Sequence, residues 1–231
     1  MKNRNLKLIT FLLILAGCFS SCDKNKEEPH ELGCDCANKL FYYCSDEKQF
    51  LDDRLLNDWL LVGFESHVQD LEIVNFLNQT RLFNLVDTSK IISHARTEDD
   101  YHLIFVNTKN SKTCSQLKEI IRTLEKSSIV AFAHLTFESS AWFGGVYMDI
   151  MTYTNEIIVQ LRDLSDLPNL HAIISETNTQ FKSQNEFVST QFIITANKNS
   201  NGDALQMANF FHETGEFEWA SPNFLDEKIN R

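Results

Sequence analysis

The stretch 201–224, Asn201-Gly202-Asp203-Ala204-Leu205-Gln206-Met207-Ala208-Asn209-Phe210-Phe211-His212-Glu213-Thr214-Gly215-Glu216-Phe217-Glu218-Trp219-Ala220-Ser221-Pro222-Asn223-Phe224, decides the reading of this chain. A polar turn opens it. Ala204, Met207, Ala208 and Phe211 then recur at i, i+3, i+4 and i+7, the spacing of one helical face, which predicts a helix over 203–214. Gly215 closes the helix, because glycine takes the left-handed conformation of a helix end without steric cost. A short aromatic strand over 216–224 follows. Its Ser221-Pro222 pair favours extended backbone.

The same pattern occurs earlier. In Cys114–Lys126 the apolar face is Leu117, Ile120, Ile121 and Leu124, and Lys109-Asn110-Ser111 precedes it as Lys198-Asn199-Ser200 precedes the later helix. Both lead into a strand, 129–137 or 216–224. Upstream of each lie an apolar strand run (Leu60-Leu61-Val62 or Ile157-Ile158-Val159), a helix (68–78 or 166–177) and two extended stretches (82–86 with 101–107, or 181–188 with 191–196). Pro168 sits where a first helical turn tolerates proline. Each half therefore reads β-α-β-β-α-β. The fold class predicted is α+β, two tandem ferredoxin-like modules, each an antiparallel sheet with both helices on one face. The first module is placed at 34–140 and the second at 141–231, with the seam at 138–145. A hairpin over Leu40–Cys44 and Gln49–Leu51, turning at Ser45-Asp46, decorates the first half. The runs Leu60–Val62 and Leu103–Val106 are continuous rather than alternating, which predicts burial of both sheet faces there.

Residues 201–224, with Thr154-Asn155-Glu156-Ile157-Ile158-Val159 and Gln184-Asn185-Glu186-Phe187, resemble the propeptide-like region that precedes the catalytic domain of bacterial subtilisin-like serine proteases. The resemblance covers about residues 150–224; the first half is matched in pattern only. It implies a fold whose open sheet face packs against a protease and whose C-terminal tail enters the substrate cleft. On this reading Trp219, Pro222, Phe224 and Leu225 contact the partner, through an extended tail pairing edge to edge with it. The protease motifs themselves do not occur: the sequence holds no Asp-Thr-Gly, His-Gly-Thr or Gly-Thr-Ser. The resemblance thus implies an escort without its enzyme. Two rival readings stand beside it, a general surface interaction lipoprotein and the remnant of a split protease prodomain.

Residues 1–22 read as a targeting segment. Lys2, Arg4 and Lys7 make a basic start, and Leu8–Leu15 is apolar but too short to span a bilayer. Leu15-Ala16-Gly17-Cys18 matches a lipobox, so Cys18 is the candidate lipidation site, with Cys22 after Phe19-Ser20-Ser21 as the alternative. Acyl chains on that cysteine would hold a soluble domain at a membrane. Residues 23–33 read as a polar tether. The location expected is the bacterial outer membrane or cell surface.

The formal charge of −11 over 231 residues, with no Lys/Arg cluster, argues against a nucleic-acid partner. Hydrophobic residues at 43% suffice for a packed core. Four cysteines remain beyond the leader, Cys34, Cys36, Cys44 and Cys114. Cys34-Asp35-Cys36 is too tight for a zinc pair, and an oxidising compartment permits a disulfide, for example Cys34 or Cys36 with Cys44. No Gly-x-Ser-x-Gly elbow, His-Glu-x-x-His or phosphate-binding glycine loop occurs. The histidines at 67, 94, 102, 134, 171 and 212 are scattered. Asp52-Asp53 and Asp99-Asp100 are adjacent carboxylates in turns, and Trp59, Trp142 and Trp219 read as core. The sequence accordingly predicts no catalytic residue, no metal and no cofactor.

Overall fold

A computed structural model describes residues 40–86, 91–93, 101–139 and 147–230. All of them belong to one compact unit, Leu32–Arg231. The leader with Cys18 and Cys22, the tether, Cys34, Cys36, Trp142 and most of the seam lie outside the described residues.

The fold is α+β. The elements run β1 (Phe41–Cys44), β2 (Glu47–Phe50), β3 (Leu55–Phe64), α1 (Asp70–Thr80), β4 (Ile91–Ser93), β5 (His102–Asn107), α2 (Cys114–Glu125) and β6 (Val130–Glu138). They continue with β7 (Tyr147–Gln160), α3 (Leu167–Thr177), β8 (Gln180–Gln184), β9 (Gln191–Thr195), α4 (Ala204–Glu213) and β10 (Trp219–Asn230). Strands β1 and β2 form the expected hairpin, with Ser45 at φ 55° in its turn. The other eight strands make one sheet in the order β4-β5-β3-β6-β7-β9-β8, with β10 on the other side of β7. Every described pairing is antiparallel. In each half the last strand lies beside the first, the third follows, and the second is at the edge. The halves meet where Phe137 and Glu138 of β6 pair with Met151 and Ile150 of β7.

Local chemistry explains the helix limits. Helix α2 starts at a capping box in which Thr113 Oγ1 accepts the Gln116 N–H and Gln116 Oε1 accepts the Thr113 N–H. Asp203 and Gln206 do the same for α4. Helices α1 and α3 end on residues in the left-handed region, Arg81 at φ 58° and Asn178 at φ 55°. Gly215, at φ 69°, follows α4 as its residue type predicts.

All four described helices bury their apolar stripes on one face of the sheet. Ile73 and Leu77, Leu117 and Leu124, Leu170 and Ile173, and Ala208 and Phe211 share a single core with Leu60, Val62, Ile104, Val106, Ile157, Val159, Phe192 and Ile194. The alternate residues of the first half, Leu61, Leu103, Phe105, Ala131 and Phe132, form a second buried cluster on the opposite face. The continuous apolar runs in β3 and β5 are therefore buried on both sides, as their lack of alternation predicts. Gly63 permits this packing: a Cβ there would fall 2.4 Å from the Phe132 ring. The hairpin docks on the helix side. Asn209 Nδ2 of α4 donates to the Phe41 carbonyl at 2.7 Å, and the Tyr43 ring stacks on His212 at 4.1 Å.

Two expectations are corrected. Residues 82–86 form no regular strand; Phe83 makes one isolated bridge to Thr108, and the strand position is taken by β4. Phe83 and Val86 are apolar because they plug the core from a loop. Asn78 fixes that loop by donating to the Val86 carbonyl and accepting its N–H, at 2.9 and 3.0 Å. Cys44 is not in a disulfide: it is exposed and free, as a place in a solvent-facing hairpin strand allows, whereas Cys114 is disulfide-bonded.

Candidate functional site

The four residues expected to contact a partner all lie in β10, but not on one surface. Trp219 faces away from the helices opposite Gln160, and Leu225 does so opposite Thr152, beside the second cluster. Between them the ladder slips at a bulge between Pro222 and Phe224, where β7 carries two extra residues, so both strands keep their alternation. Pro222 is buried opposite Ile157, and Phe224 packs against the main core with its ring 4.7 Å from Tyr42. Residues Phe224–Asn230 continue β10 along Tyr147–Tyr153 of β7, a strand of 14 residues long enough to hold them.

The sheet face of the second half opposite α3 and α4 has a different character from that of the first. Ile158, Ile193 and Trp219 are half-buried on it. At its centre Glu156, only 3% exposed, accepts from Lys182 Nζ at 2.6 Å through one oxygen and from Asn223 Nδ2 at 2.6 Å through the other. A carboxylate so buried needs such partners, because leaving it unpaired costs several kcal/mol (~3 or more). The network ties β7, β8 and β10 together beneath a face on which Ile158, Ile193 and Trp219 are half-buried. The sequence signals Glu156 only weakly, as one acidic residue inside an otherwise apolar strand; its pairing with Lys182 spans 26 positions.

A second site lies on the helix side where the halves meet. A pocket of about 290 Å³ is lined by α2, β6, β7 and the loop entering α4. His134 of β6 is buried and stacked between the rings of Phe132 and Tyr153, at 4.8 and 4.4 Å. Its Nδ1 lies 2.8 Å from the Tyr153 carbonyl. A carbonyl only accepts, so Nδ1 carries the proton and Nε2 is left with its lone pair. Nε2 has no partner among the described residues. The Tyr153 hydroxyl donates to Asp203 Oδ2 at 3.3 Å, and Glu125 accepts the Ala133 N–H at 3.3 Å. Burial pushes the Tyr153 phenol well above its ordinary value of 10, with Asp203 adding to the effect. Burial also raises the Glu125 carboxyl and lowers the His134 imidazole. The site thus favours neutral His134 and neutral Tyr153 over their charged forms.

The sequence places His134 on a strand and leaves open whether it is in the core or exposed; it lies in the core, with Nδ1 paired. The sequence does not reveal that Glu125, His134, Tyr153 and Asp203 converge, since they come from α2, β6, β7 and the entry to α4. His102 lies elsewhere, with Nε2 3.2 Å from the Ser66 carbonyl. Among the described residues no three His, Cys, Asp or Glu side chains are placed to hold a metal ion, and no helix is long and apolar enough to cross a membrane. Comparison with protein-family models and with curated proteins finds no match to this chain.

Proposed function

We propose that the chain is a non-catalytic binding protein of the cell envelope, anchored by a lipid on Cys18, whose two halves are ferredoxin-like modules and whose second module docks on a subtilisin-like protease. The shared β-α-β-β-α-β order and the shared arrangement of strands within each half support the modular reading. The observation that carries the binding reading is the second half's sheet face. It has no helix layer among the described residues and offers Ile158, Ile193 and Trp219 around the Glu156–Lys182–Asn223 network. Interfaces favour such a surface, an aromatic anchor with apolar neighbours and satisfied polar groups.

The pairing of Phe224–Asn230 with β7 favours docking by this face over insertion of a tail, and so also favours the broader reading of a surface interaction lipoprotein that binds other proteins the same way. The test is a titration of the purified protein into a subtilisin-like protease of the same organism, with peptide hydrolysis and gel filtration as readouts. Slowed hydrolysis that is lost in Ile193→Lys supports the protease reading. A complex without inhibition moves the assignment to the broader one, and neither inhibition nor complex removes both for that protease.

A further inference from the structure

We propose that the pocket between the two halves binds a small free amino acid, its ammonium group held by Glu125, Asp203 and His134 Nε2 and its carboxylate turned toward Lys118 and Arg122. The proposal is independent of protease binding, which uses the opposite sheet face. Three observations lead to it. The first is the unpartnered nitrogen: His134 is 2% exposed, lines the pocket and has Nδ1 committed to the Tyr153 carbonyl, so its Nε2 lone pair is an acceptor waiting for a donor. The second is the pairing of like charges. Glu125 and Asp203 line the same small space. Lys198, the cation that acts on Glu125, is already held by the carbonyls of Ser127 and Val130, at 2.9 Å each. A donor-bearing cation placed among three acceptors relieves that repulsion, and an ammonium has three N–H groups to give. The third is what the geometry rejects. Among the described residues no three His, Cys, Asp or Glu side chains are placed to hold a metal ion, and two acids beside three cations suit a ligand that carries both charges. The stacked Phe132, His134 and Tyr153 rings supply faces that a cation or a carbon side chain can lie against.

Size and rim narrow the class. At about 290 Å³ the pocket stands at the lower end of small-molecule sites, about 300–1,000 Å³, which suits an amino acid rather than a nucleotide or an oligosaccharide. Lys118 and Arg122 of α2 also line it and would repel a second ammonium, which disfavours a polyamine and favours a zwitterion.

Calorimetric titration of the purified protein with alanine, leucine, lysine and glutamate tests this, with the N-acetyl and methyl ester forms of any binder as controls. The expected result is saturable binding of at least one free amino acid, weakened tenfold or more by either blocking group. Glu125→Gln, which keeps an acceptor for the Ala133 N–H, and Asp203→Asn, which keeps a capping acceptor for α4, should each weaken it at least tenfold. Should Asp203→Asn fail to fold, Glu125→Gln decides alone. The proposal is overturned if none of the four binds, if a blocked form binds as well as the free one, or if the folded variants bind as tightly as the parent.

Discussion

His134 Nδ1 sits 2.8 Å from the carbonyl oxygen of Tyr153, joining β6 of the first half to β7 of the second beyond the end of their short strand pairing. Glu125 and Asp203, the charged groups of α2 and of the α4 entry, line the same pocket. The folded protein holds the imidazole below its ordinary value of 6.5, through burial. The unfolded chain therefore binds more protons there as the pH falls, and stability drops as the pH passes below about 6.5. Thermal melts at stepped pH should show this drop in the parent and a flatter profile in His134→Gln. Tyr153 acts at the other limit: its raised value removes stability as the pH rises above 10, because only the unfolded chain then ionises it freely. Tyr153→Phe should flatten that alkaline limb.

Glu125 has the opposite sign to His134. Burial raises its carboxyl above 4.5, so its contribution is fully present below pH 4.5 and is lost as the pH rises through the folded value. Glu125→Gln should therefore be more stable than the parent at pH 7, with the advantage vanishing below pH 4.5. Denaturant melts at the two pH values check it, and equal differences at both would contradict the assignment.

Gly63→Ala should destabilise by about 2 kcal/mol, as overpacking does, because the new Cβ meets the Phe132 ring across the strand pair. Combining it with Phe132→Leu should cost less than the sum of the two single changes. Additive costs in denaturant melts would show that the ring does not need the glycine.

Lys182→Met leaves Glu156 buried with Asn223 as its remaining partner and should destabilise by about 3 kcal/mol. The double variant Glu156→Leu/Lys182→Met should recover most of that loss, since an apolar pair of similar size removes the desolvation cost. A double variant as unstable as the single one would contradict this reading of the face.

Helices α2 and α4 are readable in the sequence because local chemistry defines them. An apolar stripe at 3.6-residue spacing sits between a polar cap and a terminator, and Asp203-to-Gly215 shows all three. The hairpin at Ser45-Asp46 is legible for the same reason. Phe83 and Val86 mislead because a buried loop plug and a strand carry the same residue types, while β4 is only three residues long. The strand read over 216–224 continues through Asp226, Glu227 and Lys228 because β7 reaches far enough toward the seam to pair with them. Glu156 with Lys182, and His134 with Asp203, are invisible for a deeper reason: each set is assembled by strand order, which no short-range pattern encodes.

The most direct test of the central claim is binding of a subtilisin-like protease from the same organism, measured by gel filtration and by inhibition for the parent, Ile158→Lys, Ile193→Lys and Trp219→Ala. The parent should form a complex, and each face variant should lose at least tenfold in affinity with a melting temperature within a few degrees of the parent's. Parent protein that forms no complex, or face variants that bind as tightly as the parent, would contradict it.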